Sequence, residues 1–137
     1  MQIEFWWKDM DWTNGKWGAV AGLWSNETNN NTWAFWKHPS NGHLYFYFNY
    51  TGNSHTNKAV YYSPYIWNHW AVTFDQDGVR MFLNGEQKQY WGGTTARMSR
   101  NFLFQQSKFA IGARPRTGGI REHSVDQQIY NFRILQG

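Results

Sequence analysis

Cysteine is absent from this chain of 137 residues, proline occurs three times, and charged residues make up only 16% of it. Each shortage excludes something. Without cysteine there is no disulfide framework, no thiolate zinc site and no cysteine nucleophile. Scarce proline beside 13 glycines suits many strands joined by tight turns. No apolar run approaches the roughly 20 residues that a membrane-spanning helix needs, so no membrane insertion is expected. The opening Met1-Gln-Ile-Glu-Phe-Trp-Trp-Lys8 has no basic stretch followed by an apolar one, so no signal peptide is expected in this chain.

What the chain has in excess is aromatic: 10 Trp, 10 Phe and 8 Tyr, 20% of all residues. Disordered chains run the other way, with few aromatics and many charges, so this composition predicts a folded domain. The length fits one domain over residues 1–137, large enough to bury about two-thirds of the surface of the unfolded chain. Charge is uneven. The net charge of +4 comes wholly from residues 97–137, where seven basic residues face only Glu122 and Asp126. Such a skew attracts acidic polymers or simply solubilises loops. A nucleic-acid binder is expected to show a more continuous basic stripe and a known motif, and neither is present. Asn-x-Ser/Thr sequons at Asn26, Asn30 and Asn49 are expected by chance in an Asn-rich chain.

The hydrophobic period is two rather than 3.6. Ile3, Phe5 and Trp7 share one face of a strand, with Glu4, Trp6 and Lys8 on the other. Further strands are predicted at 17–24, 32–37 and 43–51, the last with Leu44, Phe46, Phe48 and Tyr50 on its more apolar face. The middle reads as a meander: Trp70–Phe74, the turn Asp75-Gln-Asp-Gly78, Val79–Leu83, the type I′ dipeptide Asn84-Gly85, and Glu86–Trp91. Phe109–Ala113 and Gln128–Leu135 complete the set, with a long basic loop, 114–124, between them. Strands punctuated by turns at this spacing indicate a sandwich or barrel.

The segment Trp67-Asn-His-Trp-Ala-Val-Thr-Phe-Asp-Gln-Asp-Gly-Val-Arg-Met-Phe-Leu-Asn-Gly-Glu86 resembles the LamG-like (laminin G, concanavalin A-like) jelly-roll family, which often shows Trp-x-x-Val-Ala-Val-Thr-Tyr-Asp, a short turn and Val-Arg-Leu-Tyr-Val-Asn-Gly. Ile3-Glu-Phe-Trp-Trp-Lys8, Phe109-Ala-Ile-Gly-Ala113 and Ile129-Tyr-Asn-Phe-Arg-Ile134 are similar to three further landmarks of that family, in the expected order. The resemblance covers residues 2–135 and implies an all-β, antiparallel, two-sheet jelly-roll sandwich of the concanavalin A-like type. Two departures stand out. The family usually has a strand before the Ile-Glu-x-Trp segment, for which Met1 leaves almost no room; either the chain is a piece of a longer protein or the sandwich is trimmed at that edge. The closing strand carries Tyr130 and Asn131 where an acidic pair is common, which weakens any carry-over of calcium binding.

Glucanases share this architecture, and a retaining mechanism needs two carboxylates about 5 Å apart. Their Glu-x-Asp-x-x-Glu pattern is missing. Asp9/Asp11 and Asp75/Asp77 are i,i+2 pairs in predicted turns, so a glycoside hydrolase is a remote expectation and a non-enzyme is favoured. Asp75-Gln-Asp-Gly78 resembles the opening of a calcium loop without its downstream ligands, and His38, His43, His55, His69 and His123 show no zinc spacing. No cofactor or metal is expected.

The aromatics outnumber what a core of this size takes, so some are expected to stand exposed as a binding surface. The candidates are Trp6, between Glu4 and Lys8; His43, Tyr45, Tyr47 and Asn49 on one strand face; Arg80 and Phe82 on another; and Trp36 at a rim. Trp7, Trp33, Trp67, Trp70 and Phe74 are placed in the core. Arg114, Arg116 and Arg121 in the basic loop offer bidentate forks for carboxylate, phosphate or sulfate. The resemblance implies a non-catalytic recognition or adhesion module that binds a carbohydrate or surface receptor, extracellular or on a virion surface. The alternative is a structural virion protein, such as a phage fibre or decoration component, whose aromatics contact its own copies or other virion proteins.

Overall fold

The computed structural model describes residues 1–12, 15–25, 31–51, 54–75, 77–92, 107–115, 121–122 and 124–135. Among them every regular element is a strand: β1 (Gln2–Asp9), β2 (Gly18–Ser25), β3 (Asn31–Lys37), β4 (His43–Thr51), β5 (Ser54–Tyr61), β6 (Asn68–Asp75), β7 (Gly78–Leu83), β8 (Glu86–Gly92), β9 (Ser107–Ile111), β10 (Arg114–Pro115), β11 (Arg121–Glu122) and β12 (Gln127–Leu135). Sheet A runs β12-β1-β6-β7-β8 and sheet B runs β5-β4-β3-β2-β9, five strands each, while β10 and β11 pair as a short ribbon. All neighbours are antiparallel, as the jelly-roll sandwich requires.

The period-two pattern decides which side chains meet between the sheets. Ile3, Phe5 and Trp7 of β1, Trp70 and Val72 of β6, and Val79 and Met81 of β7 are buried from sheet A. Trp33 and Phe35 of β3, and Leu44, Phe46 and Phe48 of β4, meet them from sheet B. Phe5 packs edge-on to Phe35 with ring centroids 4.9 Å apart. The meander closes as its turn chemistry predicts. Asp75 Oδ1 accepts the N–H groups of Asp77 and Gly78 at 2.8 and 3.0 Å, and the first of these bonds holds its carboxyl below the usual range. Asn84 and Gly85 take positive φ (51° and 82°), the type I′ geometry. The Asn84 side chain also ties the turn to β6, accepting from His69 N–H and donating to Asn68 Oδ1.

A polar cluster with a buried charge pair crosses the interior, which Gln127 also crosses by accepting from the Trp7 indole and donating to the Ala19 carbonyl. Asp9, at the end of β1, lies 3.1 Å from Lys37 Nζ at the end of β3, and both side chains are buried. Tyr62 donates its hydroxyl to Asp9 Oδ2 at 2.6 Å, and Lys37 donates to the Asp11 carbonyl. Every strong bond that Asp9 makes therefore reaches outside its own strand, and the pair joins sheet A to sheet B.

Several expectations change here. Asp9 is a buried strand residue rather than a turn aspartate; the turn bond it does make is acceptance from Asp11 N–H at 2.8 Å. Trp67, placed in the core, is 41% exposed because it has the outward parity of His69. β5 was invisible to periodicity: Ser54-His-Thr-Asn-Lys58 has no apolar alternation, as an edge strand can afford. The basic loop carries the β10–β11 ribbon, and β1 lies inside sheet A rather than at its edge, which belongs to β12.

Two outcomes follow for stability. Lys37→Met strands the buried Asp9 carboxylate and should cost about 3–5 kcal/mol in urea unfolding, whereas Asp9→Asn with Lys37→Met should cost clearly less than the single change; additive losses would contradict the coupling. Burial pushes the Tyr62 phenol far above the usual tyrosine range, helped by its hydrogen bond to Asp9 and that group's charge. The native state thus keeps a proton that the unfolded chain releases above about pH 10. The corresponding stability is present below that pH and lost as pH rises, and Tyr62→Phe should flatten the alkaline fall of the urea midpoint.

Candidate functional site

Sheet B is unusual in burying side chains on both faces. On the face turned away from the core, Ala19 and Ala34 are fully buried, Trp24 is 1% exposed and Trp36 is 7% exposed. The cause is local. Gly22 and Ala34 sit opposite each other on β2 and β3, and with no large side chain there the Trp24 indole lies down over Gly22. Trp36 packs edge-on to Trp24 at 6.1 Å. These four form a floor, and Trp17, Tyr45, Tyr47 and Ala110 pack around it, each partly exposed.

The half-exposed rings make a continuous shelf. Tyr45 and Tyr47 stack at 5.9 Å along β4, and Trp17 stands edge-on to Tyr45 at 5.7 Å and to His38 at 4.8 Å. His43 meets Tyr61 of β5 at 5.2 Å. Burial, with a smaller effect from Tyr45, pushes the Tyr47 phenol above its ordinary value, so Tyr47 keeps its proton at pH 7. Polar groups are oriented as well. Asn41 donates its amide to the Tyr45 hydroxyl at 3.0 Å, which leaves the Tyr45 proton available. His38 Nδ1 accepts the N–H groups of Ser40 and Asn41, each at 3.1 Å, so its proton resides on Nε2. His43 Nδ1 lies 2.8 Å from the Asn41 carbonyl, which places a proton on Nδ1, so that Nε2 is the acceptor of the neutral ring. A donor and an acceptor thus flank the stacked rings.

Sequence reasoning located part of this shelf. His43, Tyr45 and Tyr47 are on it, Asn49 follows them in β4, and Trp36 belongs to its floor. Trp36 is not at a rim, because the middle of β3 is covered on both faces. Trp17, His38, Asn41 and Tyr61 were missed; the only signal for them was proximity to Tyr45, which strand pairing alone supplies. Trp6, Arg80 and Phe82 are elsewhere, on the outer face of sheet A. There Trp6 is 38% exposed beside His69, Phe82 is half-buried opposite Ala71, and Arg80 is engaged by Asp75 at 3.1 Å and stacks over Tyr90 at 4.9 Å. Arg114 is half-buried in β10 and Arg121 is in β11, whereas Arg116 lies outside the described residues, as do Asn26 and Asn30. Four of the described carboxylates are engaged by cations: Asp9 pairs with Lys37, Glu4 with Arg133, Asp75 with Arg80 and Glu86 with Lys88. No group of three or more His, Asp or Glu that could hold a metal occurs among the described residues.

A Cβ added at Gly22 would meet Ala34 Cβ, Trp24 Cζ2 and the Trp33 carbonyl oxygen, each at 2.8 Å. Gly22→Ala should therefore lift Trp24 and spread β2 from β3, costing about 1–3 kcal/mol, with a shift in tryptophan fluorescence. Wild-type stability with an unchanged spectrum would contradict the floor described here.

Among solved structures, the chain is similar to the CBM40 of a Ruminococcus gnavus IT-sialidase bound to α2,3 sialyllactose, with TM-score 0.67 and 13% identity over 94% of this chain and 74% of that one. It is also similar to the receptor-binding domain of a botulinum neurotoxin C/D mosaic serotype, with TM-score 0.68 and 16% identity over 96% of this chain. It spans only 31% of that toxin chain. A botulinum neurotoxin DC binding domain in complex with rat synaptotagmin II matches at TM-score 0.55 and 12% identity, over 98% of this chain and 28% of that one. At these identities the likeness shows the fold. No curated protein matches the chain. The family model of the concanavalin A-like lectin/glucanases superfamily matches residues 3–136, and with its two five-stranded antiparallel sheets the chain belongs to that superfamily.

Proposed function

We propose that the protein is a non-catalytic binding module that holds a neutral sugar on the aromatic shelf of sheet B. The observation that carries this reading is the shelf itself: Trp17, Tyr45 and Tyr47 half-exposed over a rigid buried floor, with the His38 and His43 ring nitrogens oriented beside them. A pyranose presents a flat CH face and a ring of hydroxyls that both donate and accept. Stacked tyrosines suit the first, and a donor at His38 Nε2 with an acceptor at His43 Nε2 suits the second. The choice of a neutral sugar rests on the absence of a cation–π contact to the shelf rings Trp17 and Tyr45 among the described residues. The two cation–π contacts among the described residues, Lys8 over Trp67 and Arg80 over Tyr90, are both on sheet A. The similarity to a carbohydrate-binding module and to toxin binding domains supports a binding module, and the paired carboxylates support one without hydrolytic chemistry.

A second reading, assembly with its own copies, draws on Phe109 and Ile111 of β9 and Ile134 and Leu135 of β12. These are 43–47% exposed on adjoining edge strands. Sedimentation across a concentration series separates the two: a monomer that binds sugar supports the module, and a concentration-dependent oligomer without sugar binding supports assembly.

Calorimetric titration of a panel of neutral oligosaccharides should find a saturable ligand. Tyr45→Ala and Tyr47→Ala should each weaken it about tenfold, equivalent to about 1.4 kcal/mol, with cooperative melting retained. Trp6→Ala should leave it unchanged. Binding that survives both tyrosine changes would refute the shelf.

A further inference from the structure

The outer face of sheet A carries a second set of exposed rings, unconnected with the shelf. Strand register arranges it as a grid. Tyr130 of β12, Trp6 of β1 and His69 of β6 lie side by side, because Trp6 pairs with both of the others. One pair further along, Gln128 lies beside Lys8, and Trp67 precedes Asn68, the partner of Trp7. With strands about 4.8 Å apart and same-face residues about 6.7 Å apart along each strand, this patch has the dimensions of one or two sugar rings. Its rings are open: Trp6 is 38%, Trp67 41% and Tyr130 64% exposed.

Its charge differs from that of the shelf. On one side of Trp6, Glu4 is neutralised: Arg133 pairs with Oε1, and Gln2 donates to Oε2 at 2.9 Å with His69 Nε2 3.7 Å away. On the other side, the Lys8 ammonium stands 5.9 Å from the Trp67 ring centre, and no carboxylate among the described residues lies within salt-bridge reach of it. One uncompensated cation therefore sits over the Trp67 ring, on the same strand face as Trp6.

We infer that this patch is a second binding site, specific for an acidic sugar whose CH face stacks on Trp6 and whose carboxylate or sulfate is taken by Lys8. The chemistry is complementary in both parts. An indole face accepts the positively polarised CH groups of a pyranose, and an ammonium beside it selects the anionic ring over its neutral counterpart. Arg133 does not compete for the anion because Glu4 already holds it. The site stands independently of the neutral-sugar reading, since the two faces belong to different sheets and share no residue.

The test uses an oligosaccharide of hexuronic acid, its carboxyl-reduced neutral form and its sulfated form, titrated against the protein with intrinsic tryptophan fluorescence at low and at 150 mM salt. The hexuronic acid should bind with an affinity that falls as salt rises, and the reduced form should bind at least tenfold more weakly. Lys8→Gln, which keeps the stem and removes the charge, should lower affinity tenfold or more. Trp6→Ala should abolish the spectral change, while Tyr45→Ala leaves both unaltered. Preference between the carboxylated and sulfated probes identifies which acid the site takes, and either preference supports the inference. Equal binding of the reduced form, or full affinity in Lys8→Gln, would overturn it. Loss of acidic-sugar binding in Tyr45→Ala would assign the ligand to sheet B instead. A doubling of mass that Trp6→Ala reverses would make the patch a contact between two copies, which also overturns it.

Discussion

Strand β3 is buried on both of its faces, and most of what distinguishes this sandwich depends on that. A strand with one wet face needs apolar residues only at alternate positions; Trp33-Ala-Phe-Trp36 has none that is polar. Trp33 and Phe35 fill the space between the sheets, and Ala34 and Trp36 lie in the outer layer. The small residues are as necessary as the large ones. With Ala19, Gly22 and Ala34 at adjoining positions of β2 and β3, the outer surface has a depression into which Trp24 folds flat. The rings next to it, Trp17, Tyr45 and Tyr47, are then held at partial exposure by a rigid support rather than by solvent balance. Preorganised aromatic surface of this kind binds without first paying to order its side chains.

The second constraint is polar. Interdigitated apolar side chains already resist sliding of one sheet over the other. The Asp9–Lys37 pair with the Tyr62 hydroxyl adds to that resistance, because a shifted sheet would leave a buried charge alone. It fixes the end of β1 against the end of β3, and hence the outward register of Trp6 and Lys8 on one sheet relative to the floor on the other. The aromatic surplus is consequently divided. Sheet B presents stacked tyrosines with polar partners, and sheet A presents exposed indoles with an ammonium over one of them.

Most of the strand order was legible from alternation and turn chemistry. Asn84-Gly85 and Asp75-Gln-Asp-Gly78 mark their hairpins correctly because the backbone geometry they impose is local. The site was legible only by face. Parity along β4 places His43, Tyr45 and Tyr47 together, but parity cannot say that Trp6 and Phe82 belong to the other sheet, since that depends on which strands pair at long range. Trp36 is the clearest case. An aromatic before Lys37-His38 reads as a rim residue, yet Lys37 is itself buried against Asp9, a contact that exists only after the two sheets meet. Trp67 fails in the opposite direction: it belongs to the strongest sequence landmark, and its outward parity outweighs its hydrophobicity. β5 carried no signal because edge strands need no second apolar face.

The proposed site for a neutral sugar is the outer face of sheet B. The ten tryptophans supply a direct reporter, since each indole N–H gives its own resonance in a proton–nitrogen correlation spectrum. On titration with a neutral oligosaccharide, the Trp17 indole and the backbone amides of Tyr45 and Tyr47 should move together and saturate, while Trp6 and Trp67 stay still. Movement confined to Trp6 and Trp67, with the β4 amides unchanged, would contradict that placement.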